Sequence, residues 1–210
     1  MNSAPRFFCL EGIDGSGKTT QMEFLTAALK SRGYDVLTLR EPGGSVISEK
    51  IRALLLDPAY KGMMSPRAEL LLYNAARAQV IDEIIRPALA AGKVVLADRF
   101  AWSTLAYQGY GRKLNVRDVE ALSALTCGEF VPELTLVFDI PVKESRARMA
   151  GAGRTLDRLE SEKEEFFERV RSGYKAIAAA HPDCVVLLDA LESRESLRDK
   201  SLKLIYDKLK

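Results

Sequence analysis

The chain has 210 residues, 47% of them apolar and 29% charged, which suits one substantial hydrophobic core and a single domain over 1–210. Its 31 basic and 29 acidic side chains leave a formal charge of +2, so there is no electrostatic case for a nucleic-acid partner. No apolar run approaches the roughly 20 residues of a bilayer span, and residues 1–5 lack a secretory pattern; the expectation is a cytoplasmic protein with no membrane partner.

In chain order, apolar β-rich runs alternate with segments of helical period. Strands are expected at 6–11, 35–40, 93–98, 134–140 and 184–189, and helices at 18–31, 45–56, 66–90, 101–108, 116–125, 143–149, 160–180 and 194–209. That alternation predicts an α/β fold with a five-stranded parallel sheet flanked by helices. Gly33 and Gly92 stand where helices should stop, and Asn115 is a candidate N-cap. The Gly-rich stretch within 150–154 reads as part of a short flap or lid at about 149–160, and the basic C-terminal segment as an ordinary helix with a solvated face. Cys9, Cys127 and Cys184 lack metal or CxxC spacing and read as reduced core thiols, while the single histidine, His181, argues against triads and polyhistidine metal sites.

The strongest local signal lies between the first strand and the first helix. Gly12, Ile13, Asp14, Gly15, Ser16, Gly17, Lys18 and Thr19 fit G-x-x-x-x-G-K-[ST], and with Thr20 they form a candidate ATP-binding loop. Its glycines let backbone N–H groups face phosphates, Lys18 reaches toward the β- and γ-phosphates, and the Thr19 hydroxyl suits Mg²⁺. Asp98 closes the apolar strand at 93–98 and places a carboxylate beside such an ion. A dinucleotide site is excluded because Gly15 and Gly17 are followed by Lys18, Thr19 and Thr20, so the third glycine of G-x-G-x-x-G is missing. An Asn-Lys-x-Asp base-reading motif is absent, since Asn2, Asn74 and Asn115 precede Ser3, Ala75 and Val116.

What remains is a kinase or an ATP-driven protein without an acceptor. The arginines favour the kinase, because phosphate-to-phosphate transfer gathers negative charge that guanidinium groups bind well. Arg40, Arg99, Arg154 and Arg158 are candidates; Arg146 reads as a surface cation, and Arg148 stays open.

Further motifs extend this reading: Glu11 through Gln21, Arg40-Glu41-Pro42-Gly43-Gly44, Tyr73 with Arg77, Asp98-Arg99-Phe100, Ser103-Thr104, Tyr107-Gln108-Gly109 and Leu156-Asp157-Arg158. On these residues the sequence resembles thymidylate kinases of the bacterial type, from 11 to 158 and in family order. The resemblance implies a P-loop nucleoside monophosphate kinase fold, ATP as phosphoryl donor with Mg²⁺, dTMP as acceptor, dTDP and ADP as products on the way to dTTP, and a homodimer.

It also implies roles. Asp14 would contact the 3′-hydroxyl of the sugar, Tyr73 would stack on thymine and Arg77 would bond the base edge. Thr104 would face the pyrimidine and Tyr107 the sugar, with Ser103 and Gln108 in the same substrate motifs. Arg99, helped by Arg40, would bind the acceptor phosphate, and Glu41 and Pro42 would lie near that cleft, with the isomer of their peptide bond open. Asp14 is followed by Gly15, so the catalytic arginine would come from the lid, with Arg154 the first candidate and Arg158 the second.

The acceptor phosphate, with a second pKa of about 6, is already a nucleophilic dianion at neutral pH, so no general base is needed. A sugar-hydroxyl kinase would ordinarily use a catalytic carboxylate.

Overall fold

The computed structural model describes residues 6–151 and 156–210. Its sheet has five strands, Phe7–Glu11 (β1), Val36–Arg40 (β2), Val94–Asp98 (β3), Leu134–Asp139 (β4) and Val185–Asp189 (β5), in the order β2-β3-β1-β4-β5. Every pairing is parallel. All of β1 is buried because helices cover both faces of the sheet: Phe8 and Leu10 join one core, Phe7 and Cys9 the other. The edge strands β2 and β5 bury alternate residues less completely. Cys9 and Cys127 are buried free thiols, but Cys184, just ahead of β5, is half-buried rather than a core residue.

The helices are Lys18–Ser31 (α1), Val46–Leu56 (α2), Pro66–Val80 (α3), Arg86–Ala90 (α4), Ala101–Thr104 (α5), Val116–Cys127 (α6), Val142–Ala150 (α7), Glu164–Ala180 (α8) and Arg194–Lys208 (α9). Ser45, Ser65, Asn115 and Ser193 cap α2, α3, α6 and α9 by accepting amide hydrogens.

Three departures from the expected boundaries have local causes. The helix expected at 66–90 contains a π-helical turn, Ile81–Ile85, between α3 and α4. Pro87 has no N–H to give the Glu83 carbonyl, and a widened turn accommodates the missing bond. The helix expected at 101–108 becomes α5 followed by a second π segment, Leu105–Gly111, packed against α8. That approach is close, since a Cβ on Gly111 would sit 2.7 Å from Phe166 and one on Gly173 would sit 2.8 Å from Tyr110. The helix expected from 160 starts at Glu164, because the Asp157 carboxylate accepts the amides of Leu159 and Glu160, each at 2.8 Å, and holds a turn there.

Parallel register brings functional loops to one end. Leu10 stands beside Asp98 and Arg40 beside Asp98, so the segments following β1, β2 and β3 emerge together at the carboxyl edge of the sheet.

Candidate active site

The loop after β1 turns tightly. Gly12 (φ 134°) passes so near β4 that a Cβ would lie 2.6 Å from the Phe138 carbonyl, and at Gly15 (φ 75°) one would meet the Ser145 carbonyl at 2.8 Å. From α7, Ser145 Oγ donates to the Asp14 carbonyl at 2.6 Å, while Arg148 donates to the carbonyls of Gly15 (3.3 Å) and Ala190 (2.9 Å). Arg148 thus braces the loop. Arg146 is half-buried rather than a surface cation, and donates to the carbonyls of Glu160 and Glu162. The ammonium of Lys18, at the start of α1, donates to the carbonyls of Gly12 (2.9 Å) and Ile13 (3.1 Å). Burial, and then the nearby Arg99 charge, lower the Lys18 pKa, with Asp98, Asp14 and Glu11 opposing.

β3 delivers the next two groups. Asp98 lines the same cleft as Thr19, and its buried Oδ1 has no hydrogen-bond partner among the described residues. Arg99 follows in a left-handed backbone conformation (φ 71°), uncommon for any residue other than glycine and found at strained functional turns. Its guanidinium donates to Asp14 Oδ1 at 2.8 Å and Ser103 Oγ at 3.3 Å, and lies 5.1 Å from the Tyr107 ring centroid.

The opposite wall rests on side-chain pairs. Arg77 is buried, and donates to Glu41 Oε2 at 2.8 Å, Thr104 Oγ1 at 3.0 Å and the Phe100 carbonyl at 3.0 Å. Burial pushes the Glu41 carboxyl up to about 7 although Arg77 pulls it down. The Glu41–Pro42 peptide is cis. Tyr73 precedes Arg77 by one helical turn and lines the cleft with it. Gln108 donates to Glu69 Oε1 at 2.8 Å, and Arg40 faces Glu49 at 3.6 Å in an exposed pair.

One cleft of about 440 Å³ gathers Asp14, Gly15, Gly17, Lys18, Thr19, Arg40, Glu41, Pro42, Tyr73, Arg77, Asp98, Arg99, Ser103, Thr104, Tyr107 and Gln108. Gly12, Ile13, Ser16 and Thr20 belong to the loop without lining the cleft; Ile13 is a core residue.

Arg158 is not brought to the cleft either. It is buried, with Nε on the Leu55 carbonyl at 2.6 Å and Nη1 on Glu69 at 2.7 Å, where Arg112 also pairs at 3.0 Å. Arg154 lies outside the described residues.

The sequence reading missed Arg52 and Leu56, which line the cleft from α2, and Asp157, Leu159 and Glu160 from the lid root. Arg52 and Leu56 stand four apart on a helix, but nothing in that spacing separates a cleft face from any other helix face. Arg52 donates to the Pro42 carbonyl at 2.8 Å, a contact created by the turn after β2.

Among the described residues no helix is long and apolar enough to cross a membrane. The family model described as thymidylate kinase matches residues 10–200. A thymidylate kinase of Pelotomaculum thermopropionicum is 46% identical over 209 residues, spanning 94% of this chain and 96% of its own. One of Pseudomonas entomophila is 50% identical over 186 residues, spanning 89% and 88%. A crystal structure of thymidylate kinase from Ehrlichia chaffeensis superposes with a TM-score of 0.75 at 31% identity, covering 95% of this chain and 97% of that one. With its phosphate loop, its Asp98–Arg99 turn and its Tyr73–Arg77 wall in one cleft, the chain belongs to the thymidylate kinase family.

Proposed function

We infer that this chain transfers the γ-phosphoryl group of ATP to dTMP, giving dTDP and ADP. The observation that carries the reading is the single cleft in which the phosphate loop faces the Tyr73, Arg77 and Thr104 wall, with Arg99 between them. At the donor end, backbone amides from Gly12 to Thr20 and the Lys18 ammonium would hold the ATP phosphates. At the acceptor end, Tyr73 would stack on the base, Arg77 and Thr104 would bond its edge, Gln108 would border it, and Tyr107 and Asp14 would meet the sugar. Arg99, with Ser103 beside it and Arg40 nearby, would bind the acceptor phosphate, while Glu41 and Pro42 would shape the cleft floor.

Mg²⁺ fits this site because Asp98, which lines the cleft together with Thr19, keeps a carboxylate oxygen with no hydrogen-bond partner among the described residues. Held by Thr19 and Asp98, it would neutralise charge on the β- and γ-phosphates. The protein's remaining work is alignment and charge stabilisation, with no general base. Of the two lid arginines, Arg158 is committed to Glu69 and Leu55, which favours Arg154 as the cation that meets the transferring group. The unit is the whole domain 1–210, with 149–160 as its lid, in the cytoplasm.

We also propose a homodimer. Val46, Ile47 and Leu54 on α2, Leu71 on α3 and Leu125 on α6 are exposed apolar side chains on helices packed side by side, and Leu125 is 82% exposed. Light scattering is expected to give twice the monomer mass, and a monomer at working concentration would refute the dimer.

The test of function is ADP formation with Mg·ATP, comparing no acceptor with dTMP, dUMP, CMP, UMP, AMP, GMP and thymidine. Stimulation by dTMP well above the others is expected. Stimulation by another monophosphate would overturn the base assignment, and acceptor-independent turnover would make the protein an ATPase.

A further inference from the structure

Glu11 is the last residue of β1, fully buried in a strand that is otherwise apolar. A carboxylate there must be satisfied by protein groups, and it is, by four N–H and O–H donors and, more weakly, by the Cys9 thiol at 3.8 Å from Oε1. Oε1 accepts the backbone amides of Phe100 (2.8 Å) and Ser103 (3.0 Å). Oε2 accepts the hydroxyls of Ser103 (2.5 Å) and Tyr174 (2.7 Å).

The consequence lies in hydroxyl polarity. Arg99 Nη1 lies 3.3 Å from Ser103 Oγ and 3.5 Å from Tyr174 OH, and a guanidinium can only donate. Each hydroxyl has one proton. Although the two hydroxyls also lie 3.0 Å apart, where either could donate to the other, both make their shorter contact with Glu11 Oε2, at 2.5 and 2.7 Å, so the carboxylate takes both protons. Their lone pairs are therefore left for Arg99. The two amides Glu11 accepts come from residues 100 and 103, which closely follow the left-handed Arg99, so one carboxylate holds both the backbone leaving this cation and its side chain.

We propose that Glu11 is a positioning residue for phosphoryl transfer, acting through Ser103 and Tyr174 to hold the Arg99 guanidinium aimed at the acceptor phosphate. This rests on the reading of Arg99 as the acceptor-phosphate cation. Glu11 is not among the residues lining the cleft, so it acts without touching substrate.

Glutamine at this position cannot reproduce the pattern. Its amide offers one acceptor oxygen and one donor nitrogen, so either the two amides or the two hydroxyls meet an N–H. If the hydroxyls do, their protons turn toward Arg99 and repel it.

The experiment compares steady-state kinetics of wild type, Glu11→Gln and Tyr174→Phe, with each of the two substrates varied in turn. Glu11→Gln is expected to lower kcat/KM for dTMP about tenfold or more, with Tyr174→Phe a smaller loss in the same direction and KM for ATP within about twofold. In an Arg99→Ala background, adding Glu11→Gln is expected to change kcat/KM for dTMP less than about twofold, because its route of action is gone. A KM for ATP raised well beyond twofold, no loss in either variant, or an undiminished loss without Arg99 would overturn the proposal. If Glu11→Gln fails to fold, Tyr174→Phe decides by the same criteria. A wild-type protein that ignores dTMP would instead refute the proposed function.

Discussion

The two ends of the cleft are built in different ways. The phosphate end is set by backbone: contiguous residues 12–20 turn on glycines, Asp98 ends a strand, and the braces from Ser145 and Arg148 reach carbonyls. The acceptor wall is set by buried side-chain pairs between distant elements, with Arg77 on α3 joined to Glu41 after β2 and Thr104 on α5. Glu69 repeats that device at the lid root, binding Arg112, Arg158 and Gln108 at once. A backbone-built site isolates catalysis from stability. A pair-built site couples them.

Mutations should separate the two. The largest effect is expected at Arg77→Leu, which strands Glu41 in the core and should cost roughly 3–5 kcal/mol in urea unfolding while abolishing dTMP saturation. Arg158→Ala should likewise be a stability variant, whereas Arg154→Ala should lower kcat and leave the urea midpoint near wild type. An unchanged kcat in Arg154→Ala would contradict the lid assignment. Lys18→Ala should reduce kcat by about 10²–10³ with far less change in dTMP binding or unfolding, as expected for a group acting on the transferring phosphate.

A milder effect should appear with pH. Burial would raise the Glu69 pKa, but hydrogen bonds from Arg112 and Gln108 and the charges of Arg112 and Arg158 hold it below its ordinary 4.5. A carboxyl depressed in the folded state stabilises above its unfolded pKa, and that contribution is lost as pH falls through the folded value. Unfolding free energy measured below about pH 4.5 should therefore decline less steeply in Glu69→Gln than in wild type. Smallest of all, Arg40→Ala breaks an exposed 3.6 Å pair with Glu49 and should move stability by less than about 1 kcal/mol. A large shift there would blur the distinction between exposed and buried pairs.

The same contrast explains what the sequence made legible. The phosphate loop, the sheet and the Asp98 strand end depend on local spacing and periodicity, and they were readable. Tyr73 and Arg77 could be placed on one helix face, but the bond from Arg77 to Glu41 spans 36 residues and follows no local rule. Arg158 illustrates the limit: an arginine beside a lid reads as a free cation until Glu69, from another helix, is found against it. The π segments were invisible because π-helical hydrogen bonding has no side-chain period of its own over five or seven residues. Glu11 stood in plain view before the phosphate loop, yet its four N–H and O–H donors come from residues 100, 103 and 174.

The most direct test of the central claim is product stoichiometry with γ-labelled ATP and dTMP, following label in dTDP together with ADP. The account predicts one labelled dTDP for every ADP, with both falling together in Lys18→Ala. ADP formed without labelled dTDP would contradict it.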